Sequence, residues 1–150
     1  MEFNGGCHCG NIAYILRWPT GANPQLRRCD CSFCTRHGAA YTSHPEASLS
    51  VTVKDPSAFG QYQFNTRTAT FRSCARCGVL TFVTTLIDGE EYAVVNVSTV
   101  DNFLATTDLA AKHFEDETLQ QRLDRRRRTW IRNVNVTIAG GSNQSPRTRV

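Results

Sequence analysis

All seven cysteines of this 150-residue chain lie in three short clusters. The clusters are Cys7-His8-Cys9-Gly10, Cys29-Asp30-Cys31-Ser32-Phe33-Cys34 and Cys74-Ala75-Arg76-Cys77-Gly78. A free cysteine packs like a small apolar residue anywhere in a core, so the clustering of every cysteine indicates a shared ligand. Thiolates at such short spacings are typical zinc ligands, and the glycines that end the two outer clusters permit a tight turn around an ion.

Disulfide bonds and a redox-active Cys-x-x-Cys pair are the alternatives to zinc. The odd number of cysteines and the strain of bridging Cys-x-Cys neighbours argue against disulfides. A thioredoxin-like role for Cys74 and Cys77 requires a βαβ unit, whereas the flanking sequence alternates like antiparallel strands. Zinc is therefore the preferred interpretation.

Structural zinc takes four ligands, so seven cysteines divide most simply into a set of four and a set of three. The sequence predicts two zinc ions per chain, the first held by the two outer clusters and the second by the triplet. The first set is Cys7, Cys9, Cys74 and Cys77. The second is Cys29, Cys31 and Cys34, which we expect to lie on one short loop. Three protein ligands leave a position for water or a substrate thiol, as in catalytic sites. His37 or His44 is the alternative fourth ligand and would make the second site a closed structural one.

The elements that must position these clusters are mostly strands. Alternation of apolar and polar residues predicts strands over residues 12–18, 49–53 and 62–64. Residues 81–100 are typical of a hairpin with its turn at Asp88-Gly89. Apolar residues at helical spacing among charged ones predict one helix, continuous or broken, between Thr107 and Ile131. We expect a domain over residues 1–135 and a flexible tail over 136–150.

Charge is concentrated near the C-terminal end. The segment 122–132 holds six arginines and one aspartate, whereas the whole chain carries only +4, so the remainder is net negative. Such a cluster is either a solvated helix face or a surface that attracts acidic partners. No apolar run is long enough to span a membrane, and the N-terminus lacks the features of a signal peptide. We therefore expect a cytoplasmic or nuclear protein without a membrane partner.

Three motifs carry a resemblance to a known family. They are GGCHCGNI, CDCSFCTRHG and FRSCARCGVLTF, in this order along the chain. Together they resemble the glutathione-dependent formaldehyde-activating enzyme family, to which the centromere protein V domain is related. The similarity runs from about Gly5 to Phe103 and accounts for every cysteine.

This resemblance implies a mainly β structure of the β-tent type, in which zinc staples antiparallel sheets and a short helix follows. It also implies a structural zinc on Cys7, Cys9, Cys74 and Cys77 and a catalytic zinc on Cys29, Cys31 and Cys34. The implied reaction adds the thiol of glutathione to formaldehyde, and its reverse breaks a carbon–sulfur bond. Because glutathione carries two carboxylates, a binding site should present cations near the triplet. The candidates are Arg28, Arg36 and Arg72, with Arg27 beside them.

Two functions are consistent with these observations. The first is a zinc-dependent carbon–sulfur lyase acting on a thiol adduct of formaldehyde or another small aldehyde. The second is a zinc-stapled binding module whose arginine cluster engages nucleic acid or an acidic protein. We rank the enzyme first, with a small thiol such as glutathione as its partner, because of the open position at the triplet and the family resemblance. Against the binding module, segment 122–132 offers no aromatic stacking platform for nucleic acid beyond Trp130. Asp30, His37 and Glu46 are candidates for proton transfer by proximity in sequence alone.

Overall fold

The computed structural model describes residues 1–103 and 112–140. Within these ranges the chain forms ten strands and two α-helices. The strands are β1 (Glu2–Gly6), β2 (Ile12–Arg17), β3 (Arg27–Arg28), β4 (Ala40–Thr42), β5 (Ser48–Val53), β6 (Phe59–Tyr62), β7 (Ala69–Cys74), β8 (Leu80–Ile87), β9 (Glu90–Asn96) and β10 (Asn133–Ile138). The helices are α1 (Ser32–His37) and α2 (Leu119–Thr129). The predicted mainly β fold with a short C-terminal helix is confirmed.

The strands form two sheets. One has the order β1-β2-β5-β10 and the other the order β3-β4-β9-β8-β7-β6. Among the strand pairs of the described ranges, β5–β10 is parallel and the others are antiparallel. Both sheets are therefore built mainly from neighbouring antiparallel strands, as expected for short strands joined by turns.

The strands predicted over residues 12–18 and 49–53 are confirmed. Tyr14 pairs with Val51 and Leu16 pairs with Leu49, so their side chains share one face of the first sheet. All four are buried. The alternation in the sequence thus marks the face that packs against the second sheet.

The predicted hairpin is also confirmed, as β8 and β9. Asp88 and Gly89 both have positive φ angles, 51° and 80°, which is the backbone of the tight turns preferred in two-residue hairpins. Unlike the first sheet, this hairpin is buried on both faces. Phe82 and Val95 belong to a core between the sheets, whereas Val83 and Val94 belong to a second core on the opposite face.

Three local predictions differ from the structure. β6 ends at Tyr62, before most of the segment predicted as a strand, because the chain turns through Asn65 and Arg67 in left-handed conformation and Phe64 packs beside Phe71 instead. The third residue of the cysteine triplet lies in α1 rather than in a loop. The C-terminal helix begins only at Leu119, where Thr118 and Gln121 form a capping box.

The predicted end of the domain, at residue 135, falls within strand β10. β10 extends to Ile138 and pairs with β5 along its whole length, so the sheet continues past residue 135. Residues 141–150 of the predicted tail, and the part of the predicted helix between residues 107 and 111, lie outside the described residues. No helix in residues 1–103 or 112–140 is long and apolar enough to cross a membrane.

Asn11 connects β2 to the loop that follows β5. Its side chain is buried, donates to the carbonyl of Asp55 (3.1 Å) and accepts from the amide of Asp55 (2.7 Å). Removing this side chain leaves both backbone groups without their partner, which typically costs about 2–3 kcal/mol. Asn11→Ala should therefore lower the free energy of unfolding by about that amount in denaturant titrations of metal-replete protein. The same change at exposed Asn23 should cost less than about 0.5 kcal/mol, and equal losses would contradict this role.

Two candidate metal centres and a cavity

The four outer cysteines come together at one edge of the core between the sheets. Cys7 follows β1, Cys9 lies in the turn to β2, Cys74 ends β7 and Cys77 lies in the turn to β8. Their four sulfur atoms lie within 4.8 Å of one another. The Sγ atoms of Cys7 and Cys9 are 3.7 Å apart, and those of Cys9 and Cys74 are 3.6 Å apart. These four residues can therefore share one metal ion.

The sulfur separations fit zinc and exclude disulfides. A disulfide requires about 2.05 Å between sulfur atoms, and all seven cysteines are free thiols. Sulfur atoms 2.3 Å from a tetrahedral zinc ion lie about 3.8 Å apart, close to the two distances found here. The donor set and its spacing thus match a closed structural site.

Backbone turns shape this four-cysteine site. Gly10 and Gly78 have φ angles of 83° and 80°. The amide of each glycine donates to the backbone carbonyl of the first cysteine of its cluster. A Cβ at either position would meet nothing within 4 Å, so the left-handed backbone, and not crowding, requires glycine there. The amide of Ile12 also donates to the sulfur of Cys7 (3.2 Å).

The three remaining cysteines form a second site, in the second core. Cys29 follows β3, Cys31 is the N-cap residue of α1, and Cys34 lies within that helix. Their sulfur atoms also lie within 4.8 Å of one another. The capping geometry explains part of this proximity, because the amide of Cys34 donates to the sulfur of Cys31 (3.4 Å).

Hydrogen bonds divide the three thiols into one that ionises readily and two that resist ionisation. A hydrogen bond from the thiol of Cys34 lowers the pKa of Cys29 below its ordinary value. The same hydrogen bond, together with burial, raises the pKa of Cys34. Burial raises the pKa of Cys31. Without a metal ion, the triplet therefore favours a single thiolate, centred on Cys29.

No fourth protein ligand joins the triplet among the described residues. The group of metal-binding side chains consists of the three cysteines alone. The ring of His37 packs against Phe33 with a centroid separation of 4.6 Å, and the ring of His44 packs against Trp18 at 5.8 Å. Neither histidine therefore takes the closing position that the sequence left open to it.

A cavity of about 450 Å³ adjoins the triplet. Cys29, Cys31 and Cys34 line one side of it, and aromatic residues, including Tyr41, Phe64, Phe71 and Trp130, form much of the remainder. The cavity also has six basic side chains and two acidic ones. The basic residues are Arg27, Arg28, Lys112, Arg122, Arg125 and Arg126, and the acidic ones are Asp30 and Glu115. This arrangement can attract an anionic molecule to the three sulfur atoms.

The arginines suggested by the sequence lie in different places. Arg27 and Arg28 line the cavity, but Arg36 and Arg72 do not. The exposed Arg36 donates to the carbonyl of Ser32 within its own helix. Arg72 lies over the ring of Phe59, 5.1 Å from its centroid. Proximity in sequence to the triplet is thus a poor guide to which arginines reach the cavity.

Several residues around the cavity were not singled out correctly from the sequence. The hydroxyl of Tyr41 contacts the sulfur of Cys34 (3.3 Å), and His113 contacts the carboxylate of Asp30 (2.9 Å). His113 precedes α2 instead of lying on it. Arg126 is only 7% exposed, so the interpretation of segment 122–132 as a uniformly solvated face is wrong for this residue. Tyr41 lies on β4 and Arg126 on α2, whereas backbone hydrogen bonds of Lys112 with Arg28 and Asp30 bring His113 to Asp30. None of these placements leaves a local signal in the sequence.

We expect the two sets of cysteines to differ in their effect on folding. The four-cysteine site joins distant segments, so Cys77→Ser or Cys74→Ser should remove one zinc ion and several kcal/mol of stability. Cys31→Ser alters a half-buried residue at a helix cap, so it should remove the second zinc ion and leave the fold intact. The zinc content per chain and the thermal unfolding curve should be measured for each variant and for wild type with two zinc ions. Together they distinguish loss of folding from loss of the second zinc ion alone. An equal loss of folding in both sets would refute the division.

Zinc uptake by the triplet should depend on pH. Because Cys31 and Cys34 hold their protons more strongly than ordinary thiols, both must release them when zinc binds. With the four-cysteine site already filled, binding near pH 7 should release about two protons and weaken as the pH falls. Calorimetric titrations in buffers of different ionisation enthalpy measure this number. A pH-independent affinity would show that the triplet does not bind zinc as thiolates.

Comparisons with known proteins agree with this geometry. A sequence model of the family described as glutathione-dependent formaldehyde-activating enzyme matches residues 2–117. The chain is also similar to a protein from Rhodobacter sphaeroides whose crystal structure is known. The two are 34% identical, the match covers 69% of this chain and 91% of that one, and the TM-score is 0.50. With more than half of its length matched by the family model, the chain belongs to the glutathione-dependent formaldehyde-activating enzyme family.

Proposed function

We propose that this protein is a zinc-dependent carbon–sulfur lyase that adds a thiol of the glutathione type to formaldehyde or another small aldehyde, and catalyses the reverse cleavage. The observation that carries the proposal is the position of the cysteine triplet, which lines a cavity instead of lying in a closed cluster. The four-cysteine site, in contrast, has a full set of ligands for a structural ion. The family membership supports the same reaction class.

Cys29, Cys31 and Cys34 would hold the catalytic zinc ion. When bound there, zinc supplies a positive charge that lowers the pKa of a thiol at its fourth position. The hydroxyl of Tyr41 lies within hydrogen-bonding distance of the Cys34 sulfur, and it can orient this sulfur and share its charge. The aromatic side of the cavity limits the access of water to the reacting atoms.

The reaction itself requires few protein groups. The thiolate sulfur of the substrate attacks the carbonyl carbon of the aldehyde, a carbon–sulfur bond forms, and the carbonyl π electrons move to the oxygen. That oxygen then takes up a proton to give the S-hydroxymethyl product when the aldehyde is formaldehyde. The cavity contributes mainly by holding the two reactants together in a suitable orientation. Of the three candidates for proton transfer, Asp30 lines the cavity, and neither His37 nor Glu46 does.

The geometry gives less support to the binding-module hypothesis. Arg125 binds both carboxylate oxygens of Glu117, and Arg127 pairs with Asp88 and Asp124. Arg122, Arg125 and Arg126 line the cavity. Much of the arginine cluster is therefore paired with carboxylates of the same chain or lines the cavity, and does not form a continuous basic surface, which nucleic-acid binding would require.

Zinc-loaded protein should accelerate the reaction of glutathione with ¹³C-formaldehyde. The rate can be measured by NMR, from the exchange of the ¹³C label between free and thiol-bound formaldehyde. Cys31→Ser should lower the catalysed rate by at least about 100-fold, because the second zinc ion is lost. Arg128→Met changes an exposed residue away from the cavity, and it should leave the rate unchanged. Absence of acceleration by protein with both sites filled, for glutathione and for simpler thiols, would contradict the proposed reaction.

A further inference from the structure

Arg126 is a buried cation at the wall of the cavity. Its side chain belongs to α2 and is 7% exposed, yet it lines the same cavity as the cysteine triplet. Burial, followed by the neighbouring charges of Arg125 and Arg122, lowers its pKa to about 10. Arg126 therefore keeps its positive charge at neutral pH in an environment that disfavours it.

The guanidinium of Arg126 is held in a fixed orientation. Its Nη1 atom donates to the hydroxyls of Thr68 (2.8 Å) and Thr85 (3.3 Å), and the ring of Trp130 lies 5.1 Å from its central carbon. Its Nε atom, however, is buried and has no hydrogen-bond partner. A buried donor without a partner is costly, and a charged one more so.

No carboxylate in the described part of the chain forms an ion pair with Arg126. Two acidic groups act on it electrostatically, Glu117 and the thiol of Cys29. Arg125 already binds both carboxylate oxygens of Glu117. Arg122 also lines the cavity and has a buried Nε atom without a partner. Two guanidiniums on successive turns of one helix thus bring positive charge to the wall of the same cavity.

From this arrangement we infer that Arg126 and Arg122 form an anion subsite, which selects thiol substrates carrying a carboxylate or a similar anionic group. A carboxylate entering the cavity would pair with the two guanidinium groups and neutralise positive charge at the cavity wall. Uncharged thiols bring no negative charge to these guanidiniums. The subsite is therefore a determinant of specificity, separate from the cysteines that hold the metal.

This inference rests on the proposed function for its substrate class, but its structural basis lies elsewhere. The family match ends at residue 117, whereas α2 begins at Leu119. The two arginines consequently come from a part of the chain that the family model does not describe. In this proposal α2 selects the substrate, and the segment matched by the family model does not include this helix.

The test compares 3-mercaptopropionate with 3-mercapto-1-propanol, two thiols of similar size that differ in charge. For zinc-loaded wild-type protein at low ionic strength, calorimetry should show roughly tenfold or tighter binding of the carboxylate. The preference should disappear in Arg126→Met, shrink in Arg122→Met, and persist in Arg126→Lys and in the exposed control Arg128→Met. Equal binding of the two thiols to wild-type protein, or a preference unchanged in Arg126→Met, would overturn the inference.

A second measurement separates the subsite from the proposed reaction. Succinate has no thiol, so the ¹⁵N–¹H signal of Arg126 Nε, titrated with succinate, reports anion binding alone. A saturable change in this chemical shift, present also in Arg128→Met, supports the subsite even when no thiol reacts with formaldehyde. If the chemical shift does not change, the subsite is refuted even when the reaction is catalysed. Because both wild-type measurements are independent of the variants, the test remains decisive if Arg126→Met fails to fold.

Discussion

The rest of the structure depends on the gathering of four cysteine sulfurs at the edge of the core between the two sheets. Cys7 and Cys9 come from the connection of β1 to β2, and Cys74 and Cys77 from the connection of β7 to β8. Cys74 is completely buried, and burial raises the pKa of its thiol. Four thiolates at such short distances would repel one another, so a cation that binds them together stabilises the arrangement. A metal ion at this point ties the first sheet to the second and fixes the strand β8, which both cores share.

The hairpin β8–β9 lies between the two groups of cysteines that could hold metal ions. Phe82 and Val95 pack between the sheets, on the side of the four-cysteine site, whereas Val83 and Val94 pack on the side of the triplet. The four-cysteine site thus lies on one side of the hairpin, and residues of its other face line the cavity. Cys29 and Cys34 are held there by a short strand and a short helix, and α2 covers the opposite side.

Local patterns in the sequence predict those features that short segments determine. Cysteine spacing indicates both groups of sulfur atoms, alternation predicts β2 and β5, and Asp88-Gly89 predicts the hairpin. Features that depend on distant contacts could not be predicted in this way. The parallel pairing of β10 with β5 and the burial of Arg126 both arise from packing between segments far apart in the chain. The arginine cluster is the clearest example, because a run of charges on a helix ordinarily faces solvent.

Anomalous diffraction at the zinc edge from crystals of the zinc-loaded protein would locate the metal ions and their ligands. We expect two zinc ions per chain, each about 2.3 Å from its cysteine sulfurs. One ion should have four sulfur ligands from Cys7, Cys9, Cys74 and Cys77. The other should have three, from Cys29, Cys31 and Cys34, with a water molecule or an added thiol in the fourth position. A single zinc ion, or a second ion closed by a fourth protein side chain, would contradict the division into a structural and a catalytic centre.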